Sequence, residues 1–200
     1  AGESSTSTPA VTEFSDWWKT LTIALSAKKD VDGLHPKTMK LLKKNSWREQ
    51  GRVMPATARA VIEILEIAKS ALQHSSNQIN SKSKHIIVGT SDIVGQPLFF
   101  ELKNQGYPVE MIGRAELQLR IESGIFLTDA HVIISATGSK NLITGQMITS
   151  GTVVIDVGEP SPDVEFKTVA PKAAFITPVP GGVGPMTVVC LLENCLDLVK

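Results

Sequence analysis

From His85 onward the chain alternates between short apolar runs and longer stretches of mixed polarity. The runs fall at His85–Val88, Pro108–Ile112, His131–Ser135, Thr152–Ile155 and Ala173–Ile176. Short runs rich in Val and Ile predict strands. Their continuous apolar character, rather than strict alternation, predicts burial on both faces, as in a parallel sheet covered by helices. Leu98, Phe99 and Leu102 sit on a helix after the first run, while residues 120–128 show no clear period. Upstream, Val61, Leu65, Ala68 and Leu72 trace one face of a helix predicted over 57–72, with Thr57 as its N-cap. At the carboxyl end Val188, Leu191, Leu192, Cys195, Leu196 and Val199 predict a helix over 186–199. Pro36 opens a short helix through Leu42, and Phe14, Trp17, Trp18, Leu21 and Leu25 predict an amphipathic helix that docks elsewhere. Ala1–Thr12 is rich in Ser and Thr, reads as a loose tail and carries no basic-then-apolar leader pattern.

The segments between runs carry the candidate chemistry. Thr177-Pro-Val-Pro-Gly-Gly-Val-Gly-Pro-Met-Thr187 packs three glycines and three prolines into eleven residues. Such a stretch is a shaped loop that ends by opening a helix, with Pro185 near the first turn. It gathers backbone N–H groups and a helix start, which suits an anion or a polar ring edge; a rigid turn holding the last helix is the alternative. After the first run come Gly89-Thr90-Ser91-Asp92-Ile93-Val94-Gly95, a strand–loop–helix with glycines six apart rather than in GxGxxG spacing. Small residues there let a pyrophosphate approach the helix start; a tight connection without ligand is the other reading. Arg114 follows the second run, where an arginine fits the 2′-phosphate of NADP, although exposed arginine is also the ordinary surface residue. Glu110 has the separation from Gly89 of a ribose ligand but falls inside the strand. Ala136-Thr137-Gly138-Ser139 and Asp156-Val157-Gly158 close the third and fourth runs. In a parallel sheet all these corners meet at the strands' carboxyl ends, where ligands bind.

Composition narrows the partners. Twenty basic and twenty acidic residues balance, so nothing points to nucleic acid or an anionic membrane. No apolar run nears the roughly 18 residues of a membrane span. Cys190 and Cys195 lie on different faces of one predicted helix, and His35, His74, His85 and His131 are scattered, so no metal site is predicted. The cysteines fit a reducing compartment.

Five ordered motifs carry a resemblance. They are Asp30-Val-Asp-Gly-Leu-His-Pro36, Pro55-Ala-Thr57, Gly89-Thr-Ser-Asp-Ile-Val-Gly-Gln-Pro97, Val154-Ile-Asp-Val-Gly158 and Pro178-Val-Pro-Gly-Gly-Val-Gly-Pro-Met-Thr187. From about Lys28 to Lys200 the chain resembles the bifunctional methylenetetrahydrofolate dehydrogenase/methenyltetrahydrofolate cyclohydrolase family. The resemblance implies an α/β fold: a Rossmann-like parallel-sheet cofactor domain over 57–200, bridged by helices 57–72 and 186–199, and a reduced amino-terminal remnant of the folate-binding domain over 1–56. It implies NADP, or NAD, held by Gly89, Thr90, Ser91, Ile93, Val94, Gly95, Arg114, Ala136, Thr137, Gly138, Asp156, Val157, Gly158 and Thr187. It implies a tetrahydrofolate-derived substrate near Asp32, Gly33, Pro180, Gly181, Gly182 and Val183, a homodimer, and the cytoplasm or an organellar matrix. The implied reaction oxidises 5,10-methylenetetrahydrofolate to the methenyl form, which the cyclohydrolase step hydrolyses to 10-formyltetrahydrofolate.

The chain departs from the family at three points. The family's Tyr-x-x-x-Lys pair is not found: the single tyrosine, Tyr107, is followed four residues on by Met111. The catalytic residues are therefore unassigned, and Lys28, Lys29 and Lys37 read as surface lysines. Ala56 and Ala58 replace the Cys and second Pro common after Pro55, and Thr90 stands where many members carry arginine. The competing reading is a module of this descent that binds NADP or a partner without turnover. A different dinucleotide-dependent dehydrogenase is a third.

Overall fold

The computed structural model describes Trp17 and residues 20–199. Ala1–Thr12, and Phe14 and Trp18 of the first predicted helix, lie outside the described residues. Residues 20–24 are helical, and Trp17, Leu21 and Leu25 are exposed. The elements then run α1 (Pro36–Lys43), α2 (Ala56–Leu72), β1 (His85–Val88), α3 (Gly95–Asn104), β2 (Val109–Ile112), α4 (Arg114–Glu122), β3 (Val132–Ser135), β4 (Val153–Asp156), α5 (Phe166–Val169), β5 (Phe175–Ile176) and α6 (Val183–Leu198). Residues 120–128, which show no clear period, resolve as the last turn of α4 and the loop that follows it; Leu117 is the fully buried residue of α4, which leaves little apolar stripe to read.

The five strands form one parallel sheet in the order β2-β1-β3-β4-β5. The register aligns Val88 with Ile112 and Ser135, and Ser135 with Asp156. All carboxyl ends therefore share one edge. β1, β3 and β4 are buried throughout, which is why their sequence reads as unbroken apolar runs. Side chains alternate between two cores. Ile87, Ile134 and Ile155 pack on the face that holds α2 and α3, with Val61, Leu65 and Leu98. Ile86, Val88, Ile133 and Val154 pack on the other, with Leu117 and Leu127.

Two boundaries correct the sequence reading. The last helix starts at Val183, inside the Gly/Pro loop, so Pro185 falls in its first turn without breaking an internal bond. The helix predicted from Thr57 starts at Ala56 with Pro55 in the cap position, and no side chain caps it. The N–H of Ala56 instead lies 3.4 Å from Asp32 Oδ1, so a carboxylate from another segment takes part of the capping role.

α2 and α6 pack against each other, and one buried residue fastens them to the amino-terminal segment. Asn194 Nδ2 donates to the carbonyls of Val31 and Met54 at 2.9 Å each, and Asn194 Oδ1 accepts from Arg59 at 2.7 Å. Arg59 also pairs with Glu193 and Asp197. The opposite face of α6 carries Val188, Val189, Leu192, Leu196 and Val199, all exposed.

Candidate functional site

The turn after β1 is built by close contact. Gly89 has φ +128°, and a Cβ there would lie 2.3 Å from the Ala136 carbonyl oxygen. A Cβ on Gly95 would lie 2.1 Å from the Gly89 oxygen. Both glycines are thus dictated by the loop's own packing. Ser91 Oγ accepts from the N–H groups of Val94 (3.2 Å) and Gly95 (3.5 Å) at the start of α3. Thr90, Ser91 and Ile93 are exposed at this corner, while Val94 turns into the core. In this strand order the chain reverses direction between β1 and β3, so the loops bearing Gly89–Ser91 and Ala136–Ser139 flank the switch-point crevice.

Arg114 is the first residue of α4, exposed beside that crevice. Its Nη1 donates to Ser139 Oγ at 3.2 Å, linking the ends of β2 and β3. Glu110 is placed two residues before the end of β2 and is held by Lys84 and Arg120, whose charges keep its carboxyl below the usual range. It is a surface ion-pair residue of the strand.

The loop 136–139 is clamped from below by a residue that sequence reading passed over. Asp163 is fully buried; its carboxylate accepts from Ser135 Oγ (2.9 Å), Thr137 N (2.6 Å) and Ser139 N (2.8 Å). Asp163 is itself held by Asp156, whose carboxylate accepts from the N–H groups of Gly158 (2.8 Å), Asp163 (3.2 Å) and Val164 (2.9 Å). Burial pushes the Asp156 carboxyl above its ordinary pKa, the three backbone donors pull it down, and the nearby Asp163 adds to the rise. Asp156 therefore serves first as the knot of its own loop.

Beyond β4 and β5 the edge opens into a cavity of about 330 Å³. Its walls include Asp156–Gly158, Pro178–Pro185 and Thr187, joined by Thr57 and Glu159. Of the sequence-predicted residues, Asp156, Val157, Gly158, Pro180, Gly181, Gly182, Val183 and Thr187 meet here. Gly89, Thr90, Ser91, Ile93, Gly95, Arg114, Ala136, Thr137 and Gly138 sit instead at the neighbouring crevice. Gly181 has φ +103°, and no atom lies within 4 Å of where its Cβ would project; the same space is free at Gly184 and Gly138. These positions leave bare backbone on open cradle, which fits a flat, polar ligand lying along the edge. Thr187 Oγ1 donates to the Val183 carbonyl, so its remaining capacity is as an acceptor.

Asp32 and Gly33 stand one step from this cavity. Gly33 has φ +66°, and its Cβ would lie 2.6 Å from Pro55 N. Asp30 holds the turn with bonds from Leu34 N, His35 N and Thr38 Oγ1. That leaves Asp32 to face Ala56, next to Thr57, and its carboxyl is raised mainly by burial. Asp32 lines a separate apolar hollow of about 300 Å³ with Leu21, Leu25 and Leu34.

Acid–base groups are sparse here. Among the described residues no Lys, Tyr or His lines the cavity. Tyr107 lies at the amino ends of the strands, its ring 4.6 Å from that of His85 and 4.9 Å from Lys69 Nζ. Lys28, Lys29 and Lys37 are exposed. No group of His, Cys, Asp or Glu able to hold a metal ion occurs among the described residues.

Comparison with known proteins decides the lineage. Residues 55–200 match the family described as tetrahydrofolate dehydrogenase/cyclohydrolase, NAD(P)-binding domain. The chain belongs to that family. Among curated relatives, the bifunctional protein FolD of Mycoplasma capricolum is 37% identical over 193 residues, covering 88% of this chain and 60% of its own length. FolD of Helicobacter hepaticus is 38% identical over 179 residues, covering 86% and 57%. The chain thus spans about three fifths of the curated relatives it matches. Among solved structures, the Campylobacter jejuni FolD dehydrogenase/cyclohydrolase superposes with TM-score 0.74 at 33% identity, over 91% of this chain and 62% of that one. The Trypanosoma brucei enzyme, solved with NADP and an inhibitor, gives 0.75 at 31%, over 90% and 61%. The NAD-dependent enzyme of Saccharomyces cerevisiae gives 0.73 at 25%, over 96% and 67%. The α/β, Rossmann-like architecture expected from the sequence is the one these family members share.

Proposed function

We propose that this chain is the nucleotide-binding part of a methylenetetrahydrofolate dehydrogenase that prefers NADP. The observation that carries the reading is the shared edge: the switch-point crevice with Arg114 at its rim runs beside a glycine-walled cavity that reaches Thr57, one residue on from the Ala56 N–H that faces Asp32. In this reading residues 57–200 are the cofactor domain and residues 1–56 a remnant of the folate domain. Gly89–Gly95 and the 136–139 loop border the nucleotide, with Arg114 near the 2′-phosphate. Asp156–Gly158 and Thr187 hold the nicotinamide end; Asp32, Gly33 and Pro180–Val183 border the folate.

The chemistry a bound nicotinamide nucleotide supplies is acceptance of a hydride from the methylene carbon of 5,10-methylenetetrahydrofolate. Hydride loss leaves a nitrogen-stabilised cation, so the demand on the protein is orientation and exclusion of water more than a strong base. The glycine-walled cavity answers that demand with shape and backbone dipoles. Hydrolysis of the methenyl product is different, since water must be activated and a ring amine must leave. The Asp156 carboxylate is engaged by three backbone N–H groups, and Glu159 is exposed. This chain on its own is therefore expected to give no efficient cyclohydrolase activity. Loss of methenyltetrahydrofolate absorbance at the buffer rate supports that, and clear acceleration overturns it.

Calorimetric titration with NADP and NAD, repeated with a tetrahydrofolate analogue, tests the reading. NADP binding strengthened by the analogue supports the dehydrogenase. The second reading, a nucleotide-binding module without turnover, is favoured by the lack of Lys, Tyr and His around the cavity among the described residues. It predicts NADP binding indifferent to the analogue. Absence of any nucleotide binding overturns both. The free cysteines Cys190 and Cys195 fit a reducing compartment such as the cytoplasm or an organellar matrix, and among the described residues no helix is long and apolar enough to cross a membrane. A homodimer follows from the family resemblance, and sedimentation velocity measures it.

A further inference from the structure

We infer that Asp163 is a positioning residue for cofactor discrimination: it fixes the 136–139 loop so that Ser139 holds Arg114 in place at the crevice. The inference rests on the reading of Arg114 as the group that favours NADP.

The local geometry has three links. First, three donors from the end of β3 and its loop converge on one carboxylate, at 2.6–2.9 Å from Ser135, Thr137 and Ser139. A charged acceptor shared by three donors, away from water, is a strong and rigid arrangement. Second, the carboxylate cannot drift, because the N–H of Asp163 donates to Asp156 Oδ1 and its carbonyl accepts from Ile143 at 3.0 Å. Third, Ser139, whose N–H the carboxylate grips, presents its hydroxyl oxygen to Arg114 Nη1. Arg114 has no carboxylate within ion-pairing distance among the described residues, so this hydroxyl is the contact that limits an otherwise mobile, exposed side chain.

A second consequence sharpens the inference. The N–H groups of Thr137 and Ser139, which a dinucleotide could otherwise have used, are already taken by Asp163. Discrimination at this corner then falls to side chains, and to the position in which the loop holds them. Replacing Asp163 by Asn keeps the volume but turns one acceptor oxygen into an amino group facing a donor. The loop must shift, and Ser139 with it. Affinity for both dinucleotides can fall, but the loss is expected to be larger for NADP, since NADP alone uses the Arg114 contact.

The test is calorimetric binding of NADP and NAD to the full chain and to Arg114→Ala, Ser139→Ala, Asp163→Asn and the Asp163→Asn/Arg114→Ala double variant, with circular dichroism to confirm folding. Arg114→Ala is expected to reduce the NADP-to-NAD affinity ratio about tenfold, the size of one charge-assisted contact. Asp163→Asn is expected to reduce it by a similar factor, and to add nothing in the Arg114→Ala background. Equal losses for NADP and NAD in Asp163→Asn would mark a purely structural role and overturn the inference. So would a ratio change that persists without Arg114. If Asp163→Asn does not fold, Ser139→Ala decides: it keeps the backbone bonds to Asp163, and an unchanged ratio overturns the inference. An unchanged ratio in Arg114→Ala overturns the NADP reading itself, visibly apart from the effect of Asp163.

Discussion

His85 shows what a single buried side chain can impose. It opens β1 fully buried; its Nδ1 lies 2.8 Å from the Ser83 carbonyl, and its Nε2 has no partner. Burial drives its pKa down to about 4; the Ser83 carbonyl opposes the shift, and the charge of Lys69 adds to it. Because the unfolded chain takes up this proton near pH 6.5 and the folded chain only near 4, His85 supports the fold fully above about pH 6.5 and loses that contribution as pH falls towards 4. The whole span corresponds to about 3 kcal/mol. Urea unfolding of wild type and His85→Gln at pH 7 and pH 5 should show the variant losing less stability on acidification; parallel losses would contradict it. Gly95 offers a steric counterpart. In Gly95→Ala the new methyl meets the Gly89 backbone, and overpacking against main chain is expected to cost about 1–3 kcal/mol, with weaker NADP binding by calorimetry. At this scale the sequence was readable where chemistry is local. Gly89, Gly95 and Gly33 announce themselves as small residues in turns. Asp163 does not: within Ser-Pro-Asp-Val-Glu it looks like any loop acid, and only its return to a loop more than twenty residues upstream reveals its work.

Among the elements, α6 is the most informative because its two apolar faces have different fates. Val183, Cys190 and Asn194 are buried, whereas Val188, Val189, Leu192, Leu196 and Val199 are exposed. The sequence showed the apolar spacing but could not say which face would be covered, since both are apolar. Substitution should separate them. Asn194→Ala strips bonds from the buried Met54 carbonyl, the half-buried Val31 carbonyl and Arg59, and is expected to cost about 2 kcal/mol by denaturant unfolding. Leu192→Lys on the outer face is expected to fall within about 0.5 kcal/mol of wild type. A large loss there would mean that the outer face is covered in solution. The strands were legible to within two residues: burial on both faces leaves unbroken apolar runs in β1, β3 and β4, and the half-buried edge strands β2 and β5 are still mostly apolar. The start of α2 was misread because Thr57 looks like a cap, while the acceptor that meets the helix end is Asp32, distant in sequence. Thr57 instead lines the cavity.

For the molecule as a whole, the parallel order of the strands is what turns separate corners into one edge. The sequence indicated that the corners converge, but not how they divide. One group borders the β1–β3 crevice, and the other walls the cavity past β5; that division depends on strand order, which local spacing does not encode. A dinucleotide lying across both groups would bind only the folded chain, so NADP at a hundred times its dissociation constant should add about 2.7 kcal/mol to stability. A thermal melt with and without NADP measures this, and an unmoved transition would contradict binding across the edge. Asn194, near the end of the chain, grips carbonyls at residues 31 and 54, near its beginning. The final helix is therefore one mooring of the amino-terminal segment, beside the bonds from Trp47 and Arg48 to Glu101 on α3. Clipping the chain before Asn194 should loosen the turn at residues 30–35, seen as rapid amide deuteration and protease cuts there, while α1, which α3 holds through the bond from Asn104 to the Leu42 carbonyl, and the central strands β1, β3 and β4 keep their protection.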